Sequence, residues 1–437
     1  MLGDVLDMVD STIPWFAAII GLLIAIILIL KKFNPVYSLF FGAIIGSLIG
    51  GASLVTTIDI LINGTQSIIG TAIRVLAAGK LAGVMMESGA AESIANAIVT
   101  KLGDQKAILS LALSTMIITA VGVFIPVAVL IVAPIALSVG KQTGISKIAL
   151  LTALSGGGKA GNIISPNPNT IAAANGFDLN LSSVMLAGFI PAVFGLVTAV
   201  IIANAIKNKG EIVRDRDILK QETKELMPLR KALVAPGLSI FLLLNNPIGT
   251  VLKIDAIANL KIDALYILPF ASIVGTIAMG HANKISEYAS SGIKRVTDTV
   301  LILIGAGAIA GLISASDLSV QVVKVIEMIG ISGTFLAPIS GILMGLAVGS
   351  TSTAVILATG SFGEAILNTG TSSLAASVMV HTGSTVIDSV PQGNYFHISA
   401  NSMNMTIKER LKVIPYEMCV GGAMTVVATI LYGFILN

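Results

Sequence analysis

Two stretches rich in Gly, Pro and Asn decide how this chain folds. Residues 155–169 read SGGGKAGNIISPNPN, and residues 381–394 read HTGSTVIDSVPQGN. Each stretch lies within an apolar region long enough to cross a bilayer, and each contains residues that interrupt a helix. Three pairs of their residues are each 225 positions apart: Gly158 and Gly383, Pro166 and Pro391, and Asn169 and Asn394. The sequence therefore predicts two interrupted membrane helices at matching places in two halves of the chain.

The composition places the chain in a membrane. Of its 437 residues, 55% are hydrophobic and only 11% are charged, and the mean hydropathy is +0.94. Soluble domains average about 25% charged residues. A single cysteine, Cys419, excludes an intramolecular disulfide bond. The sequence also lacks the GxxxxGK[ST] loop that binds nucleotide phosphates, which argues against direct ATP drive.

Apolar runs long enough to cross about 30 Å of hydrocarbon recur along the chain. Eight of them are uninterrupted: 13–30, 35–51, 66–86, 183–206, 232–251, 264–280, 298–314 and 414–436. Two more crossings, 145–178 and 372–403, contain the interruptions. The apolar stretches 107–139 and 334–367 are too long for one span and have a small or proline-bearing centre. We interpret both as re-entrant hairpins whose tips stop inside the membrane.

Positive charges give this layout an orientation. Most of the 26 Lys and Arg residues fall in segments on one side, which the positive-inside rule assigns to the cytoplasm. Both chain termini are then expected outside. Residues 207–230 become a cytoplasmic linker, which we interpret as a solvated connector.

The two halves, 1–206 and 231–437, are related as repeats. Because each half contains five crossings, an odd number, the second half enters the membrane upside down relative to the first. The fold class predicted is an all-α polytopic membrane protein. It has two inverted-topology repeats, each with about five transmembrane crossings, one of them broken, plus one re-entrant hairpin.

Interrupted helices in matching halves indicate a binding site near the middle of the membrane. Broken ends leave unpaired N–H and C=O groups, glycines allow close approach of a solute, and amides and hydroxyls both donate and accept hydrogen bonds. The alternative for the glycines is tight helix packing. The candidate substrate-binding residues are Gly157, Gly158, Lys159, Asn162, Asn167, Asn169, Ser350, Thr351, Ser352, Thr353, Gly383, Ser384, Gln392 and Asn394.

Three ionisable residues near the breaks are candidates for charge recognition. A lysine at the bilayer centre costs on the order of 2.5–3.5 kcal/mol, so Lys159 needs a compensating group. That group is either a substrate carboxylate or an acid of the protein itself. Asp388 and His381 are the candidate coupling-ion residues because a carboxylate or imidazole can carry a proton during transport. Asp388 could alternatively form a salt bridge or cap a helix. His397 reads as an ordinary residue at the end of a span.

Three segments carry a family resemblance. Residues 82–91, 349–360 and 383–412 resemble the gluconate:proton symporter (GntP) family, and the similarity spans essentially the whole chain. More distantly, the order of hairpin and broken helix is similar to the wider ion transporter superfamily. That resemblance implies a homodimer in which one domain moves past a scaffold like an elevator. Carried over, 106–206 and 331–437 form the transport domain, and 1–105 and 231–330 form the scaffold.

These observations together predict a secondary active transporter of the cytoplasmic membrane. It would import a small organic acid, such as gluconate or glycerate, with a proton as coupling ion. Alternatives on the same fold are a cation/proton antiporter and a sodium-coupled carboxylate or amino-acid transporter. An intramembrane enzyme is disfavoured because no cluster of acids or metal ligands is visible in the sequence. No cofactor, metal ion or nucleic acid is expected, and membrane lipid is the expected surrounding.

Overall fold

The computed structural model describes residues 13–218, 226–254, 262–329 and 332–436. Over these ranges the chain is helical, with two isolated β-bridges, between Ile13 and Ser316 and between Ser146 and Ile212, as its only extended pairings. The prediction of an all-α protein is confirmed for these residues. Residues 1–12 and residue 437 lie outside the described ranges, and the expectation that both termini face outside stays a prediction.

The helices follow one another with short connections. Those of the first half are α1 (Trp15–Leu30), α2 (Pro35–Ile49), α3 (Leu54–Glu87), α4 (Ala90–Leu102), α5 (Ala107–Ala120), α6 (Ile125–Thr143), α7 (Lys147–Asn162), α8 (Pro168–Asn175), α9 (Leu181–Ala187) and α10 (Phe189–Ala205). Those of the second half are α11 (Leu229–Ala232), α12 (Val234–Leu243), α13 (Asn245–Leu252), α14 (Ala264–Ala278), α15 (Ile285–Ser314), α16 (Leu318–Ile329), α17 (Leu336–Val348), α18 (Thr351–Asn368), α19 (Ser373–Ser384), α20 (Asn394–Ser402), α21 (Ile407–Leu411) and α22 (Ile414–Ile430).

Several of these helices are apolar and long enough to cross a membrane. Within the described residues, four segments qualify by length and composition: Leu54–Glu87, Ile125–Thr143, Ala282–Ser314 and Ile407–Ile435. A fifth is obtained if α9 and α10, which meet at an angle of 43°, count as one span. The predicted spans 66–86 and 298–314 are the C-terminal parts of the longer α3 and α15. Large apolar side chains such as Leu54, Phe241 and Ile201 are 62–71% exposed on the outer surface, where lipid would cover them.

Polar side chains cap the N-termini of several helices. The side chains of Asn34, Ser53, Ser146 and Ser350 each accept a hydrogen bond from a backbone N–H in the first turn of α2, α3, α7 and α18. Each cap satisfies one of the four N–H groups that a helix start leaves without a partner.

The long helices α3 and α15 pack together through glycines. A Cβ atom added at Gly64 would collide with the backbone of Gly307 and Gly311, and one added at Gly83 would collide with the backbone of Gly292. Backbone-to-backbone contact of this kind needs small residues, because a side chain would hold the helices apart. The two helices run antiparallel, since the start of α3 meets the end of α15. Helix α8, which follows the first interruption, contacts α3, and α18 contacts α15.

The two predicted hairpins appear as pairs of helices joined by a sharp turn at a glycine. Helices α5 and α6 are joined at residues 121–124, where Gly122 has φ of 100°, and α17 and α18 are joined at Gly349, where φ is 64°. Such φ values favour glycine because a Cβ atom is strained there. The two arms of each pair contact one another and the interrupted helix of the same half.

The predicted linker 207–230 is not a purely solvated connector. Ile212 forms a bridge with Ser146, and Asp217 forms an ion pair of 2.9 Å with Lys147, with both side chains at most 5% exposed. The first part of the linker is therefore docked on the start of α7, because these groups satisfy each other there. Residues 219–225 of the linker lie outside the described ranges.

We predict that Gly64→Ala destabilises the protein, since the new methyl group would meet the backbone of α15. Overpacking of this kind costs about 1–3 kcal/mol. Gly422→Ala in α22 is the matched control, because a Cβ atom there has no neighbour within 4 Å. Thermal unfolding of the purified proteins in detergent should show a lower midpoint for Gly64→Ala and an unchanged or higher midpoint for Gly422→Ala. Equal midpoints would contradict the role given to the α3–α15 contact.

Candidate functional site

An ion pair joins the two interruptions. Lys159, in the last turn of α7, is fully buried, and its Nζ donates to Oδ1 of Asp388 at 2.5 Å and to the backbone carbonyl of Thr385. Thr385 directly follows α19, so its carbonyl belongs to the open C-terminal end of a half-helix. The two stretches that the sequence placed 225 positions apart are thus in direct contact. The group that compensates Lys159 here is an acid of the protein.

Asp388 also binds the tip of the second hairpin. Its Oδ2 accepts a hydrogen bond of 2.5 Å from Oγ1 of Thr351, the first residue of α18, and its Oδ1 accepts one of 2.9 Å from Ser389. The side chain is 6% exposed. A carboxylate with three donors in such a buried place is held strongly in one position.

Asparagine side chains organise the first interruption. Oδ1 of Asn167 accepts from the backbone N–H groups of Asn169 (2.9 Å) and Thr170 (3.1 Å), which caps α8. Nδ2 of Asn167 donates to the carbonyl of Asn162 at 2.9 Å. Ser352, at the second hairpin tip, donates to Oδ1 of Asn169. The interruption is therefore fixed both to itself and to the opposite hairpin.

One donor of this network is left over. Nδ2 of Asn162 is buried and has no hydrogen-bond partner among the residues that the structure describes. Buried polar groups are nearly always hydrogen-bonded, so an unpaired donor at a cavity wall indicates that a bound ligand supplies the acceptor.

A cavity of about 690 Å³ lies where the interruptions and the hairpin tips meet. This volume falls in the range of about 300–1,000 Å³ typical of small-molecule sites. Its wall from the interrupted helices and tips includes Phe124, Ile125, Pro126, Val127, Asn162, Asn169, Val348, Gly349, Ser350, Thr351, Ser352, Thr353, Asp388, Pro391, Gln392, Gly393, Asn394, Tyr395, His397 and Ile398. The polar side chains of the second tip and the apolar ones of the first tip face the same space.

The remaining wall comes from helices outside the interrupted region. It consists of Ile29, Lys32, Phe33 and Pro35 around the α1–α2 turn and of Arg295, Asp298, Thr299 and Ile302 on α15. Lys32, Arg295 and Asp298 are exposed, so they form the rim through which the cavity opens. Arg295 pairs with Glu87 at 2.8 Å. The cavity therefore lies between two parts of the molecule and opens on the side where those cations stand.

Nine of the candidates from the sequence line the cavity: Asn162, Asn169, Ser350, Thr351, Ser352, Thr353, Asp388, Gln392 and Asn394. The other candidates lie behind this wall: Gly157, Gly158, Lys159, Asn167, His381, Gly383 and Ser384. Among the latter, Gly157 lies against the carbonyl of Ala112 and Gly383 against that of Pro338. These two glycines contact hairpin arms rather than the cavity, so they serve tight helix packing and not contact with a solute. His381 is 1% exposed, deep in α19.

The sequence missed several residues of the cavity. His397, interpreted as a span-end residue, lines the cavity and bonds the carbonyl of Pro391 at 2.8 Å. The sequence could have indicated this role, because His397 lies in the first turn of the helix that follows the second interruption. Lys32, Arg295 and Asp298 carried no comparable signal, since only tertiary packing brings α1 and α15 to the interruptions.

A second buried ion pair supports the first interruption from behind. Arg410 binds Glu417 through two hydrogen bonds of 2.8 and 3.0 Å, and both side chains are at most 1% exposed. Ser155 of α7 donates to Glu417 at 2.5 Å, and Arg410 also donates to Ser399 at 2.8 Å. This cluster ties α7 to α20, α21 and α22. The sequence analysis did not single it out.

We predict that Glu417→Gln lowers stability by about 3–5 kcal/mol, because it leaves the Arg410 guanidinium buried without a counter-charge. Replacing both partners, as in Arg410→Met with Glu417→Leu, should restore much of the loss. Lys141→Gln, which removes a cation from the exposed pair with Asp215, should cost at most about 1 kcal/mol. Thermal or denaturant unfolding checks the order. A double variant less stable than Glu417→Gln would be inconsistent with this explanation.

Away from this site, Arg74 forms a structural ion pair with Asp263. Its Nε and Nη2 donate to both carboxylate oxygens of Asp263, at 2.7–3.1 Å. Burial raises the pKa of the Asp263 carboxyl, whereas hydrogen bonds from Arg74 and from the backbone of Leu265 lower it. The hydrogen bonds together outweigh the burial, so the pKa lies below the usual range. The pair lines a second cavity, of about 390 Å³, between α14 and the α8–α9 turn.

Two interrupted helices around a polar cavity, in an otherwise apolar helical chain, are the arrangement of a membrane transporter. The family description "GntP family permease" matches residues 13–435. The chain therefore belongs to the GntP permease family, and it is a multi-pass membrane protein.

Relatives with curated names agree with this assignment. A transporter of Haemophilus influenzae is 46% identical over 423 residues, which cover 97% of this chain and 99% of that protein. A gluconate permease of Zymomonas mobilis is 22% identical, covering 96% and 98%. The D-serine transporter DsdX of Escherichia coli is 24% identical, covering 78% and 80%.

The fold is similar to a solved transporter structure. The YdaH transporter of Alcanivorax borkumensis, described as having an unusual topology, superposes with a TM-score of 0.65 over 88% of this chain and 91% of that one. The identity is 14%, so the likeness concerns the fold alone.

Proposed function

We propose that the protein is a secondary active transporter that imports a small organic acid together with a proton. The observation that carries the proposal is the cavity between the two interruptions and the two hairpin tips, with Asp388 in its wall and Lys159 paired to Asp388 from behind. A buried charge pair next to an accessible polar cavity is what proton-coupled recognition of an anion requires.

The wall chemistry favours a substrate with several hydroxyl groups. Ser350, Ser352 and Thr353 present hydroxyls, and Asn162, Asn169, Gln392 and Asn394 present amides. Such groups can both donate to and accept from the hydroxyls of a sugar acid or hydroxy acid, such as gluconate or glycerate. The relative named a gluconate permease supports this class.

An amino acid with a hydroxyl group is the second candidate. The relative named a D-serine transporter supports it, and D-serine shares a carboxylate and a hydroxyl with the hydroxy acids. The rim residue Asp298 could face its ammonium group.

Two inverted repeats moving as an elevator explain the division of the cavity wall. Three glycines of α3 match three glycines of α15 at a spacing of 228 positions: Gly64 with Gly292, Gly79 with Gly307, and Gly83 with Gly311. Their contacts are crossed, since Gly64 meets Gly307 and Gly311 whereas Gly83 meets Gly292. Crossed contacts between matching residues are those of two units related by a two-fold axis. They support repeats 1–206 and 231–437, with 1–105 and 231–330 as scaffold and 106–206 and 331–437 as transport domain.

The cavity rim supports an inward-open state. Lys32 and Arg295 belong to the segments that the positive-inside rule assigns to the cytoplasm. A transporter of the cytoplasmic membrane with both termini outside would then release solute at this rim. We further propose a homodimer, in which the scaffold of each copy supports the other.

Uptake measurements test the function. Purified protein in liposomes with an inward proton gradient should accumulate labelled gluconate or D-serine, and collapsing the gradient should stop accumulation. Asn162→Ala should weaken uptake by about tenfold, since it removes the unpaired donor from the wall. Asn204→Ala, which removes an exposed amide of α10 that bonds only its own helix, is the matched control.

Two results would reject the proposal. One is the absence of gradient-driven uptake for every sugar acid, hydroxy acid and hydroxy amino acid tried. The other is proton flux driven by sodium or potassium with no organic solute, which would identify a cation/proton antiporter instead.

A further inference from the structure

The Asp388 carboxylate is bound as a substrate carboxylate would be. Its donors come from three places: the Lys159 ammonium of the first interruption, the Thr351 hydroxyl at the second hairpin tip, and the neighbouring Ser389 hydroxyl. Ammonium and hydroxyl donors converging on two carboxylate oxygens form a complete anion-binding site. Asp388 forms part of the cavity wall, while Lys159 lies behind it. The protein's own acid therefore stands between the cavity and the lysine.

Charge balance limits what this place can hold. Lys159 and Asp388 are 1% and 6% exposed and together neutral. Adding a substrate anion alone would leave one negative charge buried without a partner, and protonating Asp388 alone would leave the ammonium without one. Either state is costly in a buried site. Adding both a proton and an anion keeps the site neutral.

We propose that Asp388 is an internal stand-in for the carboxylate of the transported acid. When Asp388 takes up a proton from water in the cavity, its bond to the Lys159 ammonium weakens. The substrate carboxylate then takes over Lys159 and the Thr351 hydroxyl, and the protonated Asp388 stays nearby as a neutral donor. This inference rests on the proposed function and deepens it, because it fixes one proton for each carboxylate bound.

The other charged groups around Asp388 leave Lys159 as the cation of this exchange. Arg410 acts electrostatically on Asp388 but is saturated by Glu417 and Ser399. Tyr395 lines the same wall, and His381 is buried in α19, from whose end the Thr385 carbonyl comes. Arg295 and Asp298 face the cavity from α15, at its exposed rim. Because the ammonium already lies between the Thr385 carbonyl and Asp388, a sodium ion has no place there.

Calorimetry on the unaltered protein gives the first test. Titration with gluconate and with D-serine in buffers of different ionisation enthalpy should show uptake of about one proton per ligand. Affinity should rise by about tenfold for each unit that the pH falls, as linkage to one proton requires. Binding that takes up no proton would overturn the proposal.

Variants give the second test. Asp388→Asn removes the stand-in and should make affinity for the same ligands nearly independent of pH between about pH 6 and about pH 8. Asp59→Asn, which removes an exposed carboxylate of α3, is the control and should keep the slope of the unaltered protein. An Asp388→Asn variant that retains that slope would contradict the proposal.

A simple carboxylate separates this proposal from the proposed function. Acetate at about pH 8 should raise the thermal unfolding midpoint of Asp388→Asn, but neither that of the unaltered protein nor that of the variant that also carries Lys159→Met. This pattern would support the exchange even if neither gluconate nor D-serine binds, an outcome that counts against the proposed substrates only. Equal acetate responses in all three proteins would reject the exchange.

Discussion

A buried ammonium must be compensated, and the centre of this molecule is arranged around that constraint. Lys159 meets the requirement through Asp388 and the open carbonyl of Thr385, both from the opposite half of the chain. An interrupted helix supplies such a carbonyl because its last turn has no internal partners. The bond therefore fixes the two interruptions against each other, and it neutralises the carboxylate that Asp388 contributes to the cavity wall. Through Asp388, this contact connects the first interruption, the second hairpin tip and the cavity wall.

Close packing makes that contact possible. Gly157 and Gly383 let the interrupted helices lie directly on hairpin arms, and Gly64 and Gly83 let α3 lie directly on α15. In a membrane no hydrophobic driving force holds helices together, so close backbone approach and satisfied polar groups do so instead. The glycine contacts and the buried ion pairs thus have complementary roles. The glycine contacts bring the helices together, and the buried ion pairs fix their register.

The buried pairs Lys159–Asp388 and Arg410–Glu417 differ in what surrounds them. Arg410 and Glu417 are enclosed by Ser155, Ser399 and aromatic rings, and every strong bond they make is internal. Asp388, by contrast, borders the cavity. The first arrangement serves rigidity, because separating the pair would leave a buried charge without a partner. The second borders open space, and the exchange proposed for Asp388 and a substrate carboxylate depends on that position.

The sequence by itself determined the class of the molecule. Composition and apolar runs specify a helical membrane protein, since segments without internal hydrogen bonds cannot cross a bilayer. The matching interruptions, the hairpin turns at Gly122 and Gly349, and the need of Lys159 for a compensating group could all be read locally. Tertiary structure alone decided which group compensates that lysine and which residues face the cavity. Asp388 lies 229 residues away from Lys159. Lys32 lies in the α1–α2 turn and Arg295 on α15, and the sequence of neither segment indicates a binding site. Spacing along a chain records where helices break, whereas the direction in which a side chain points depends on how distant helices pack.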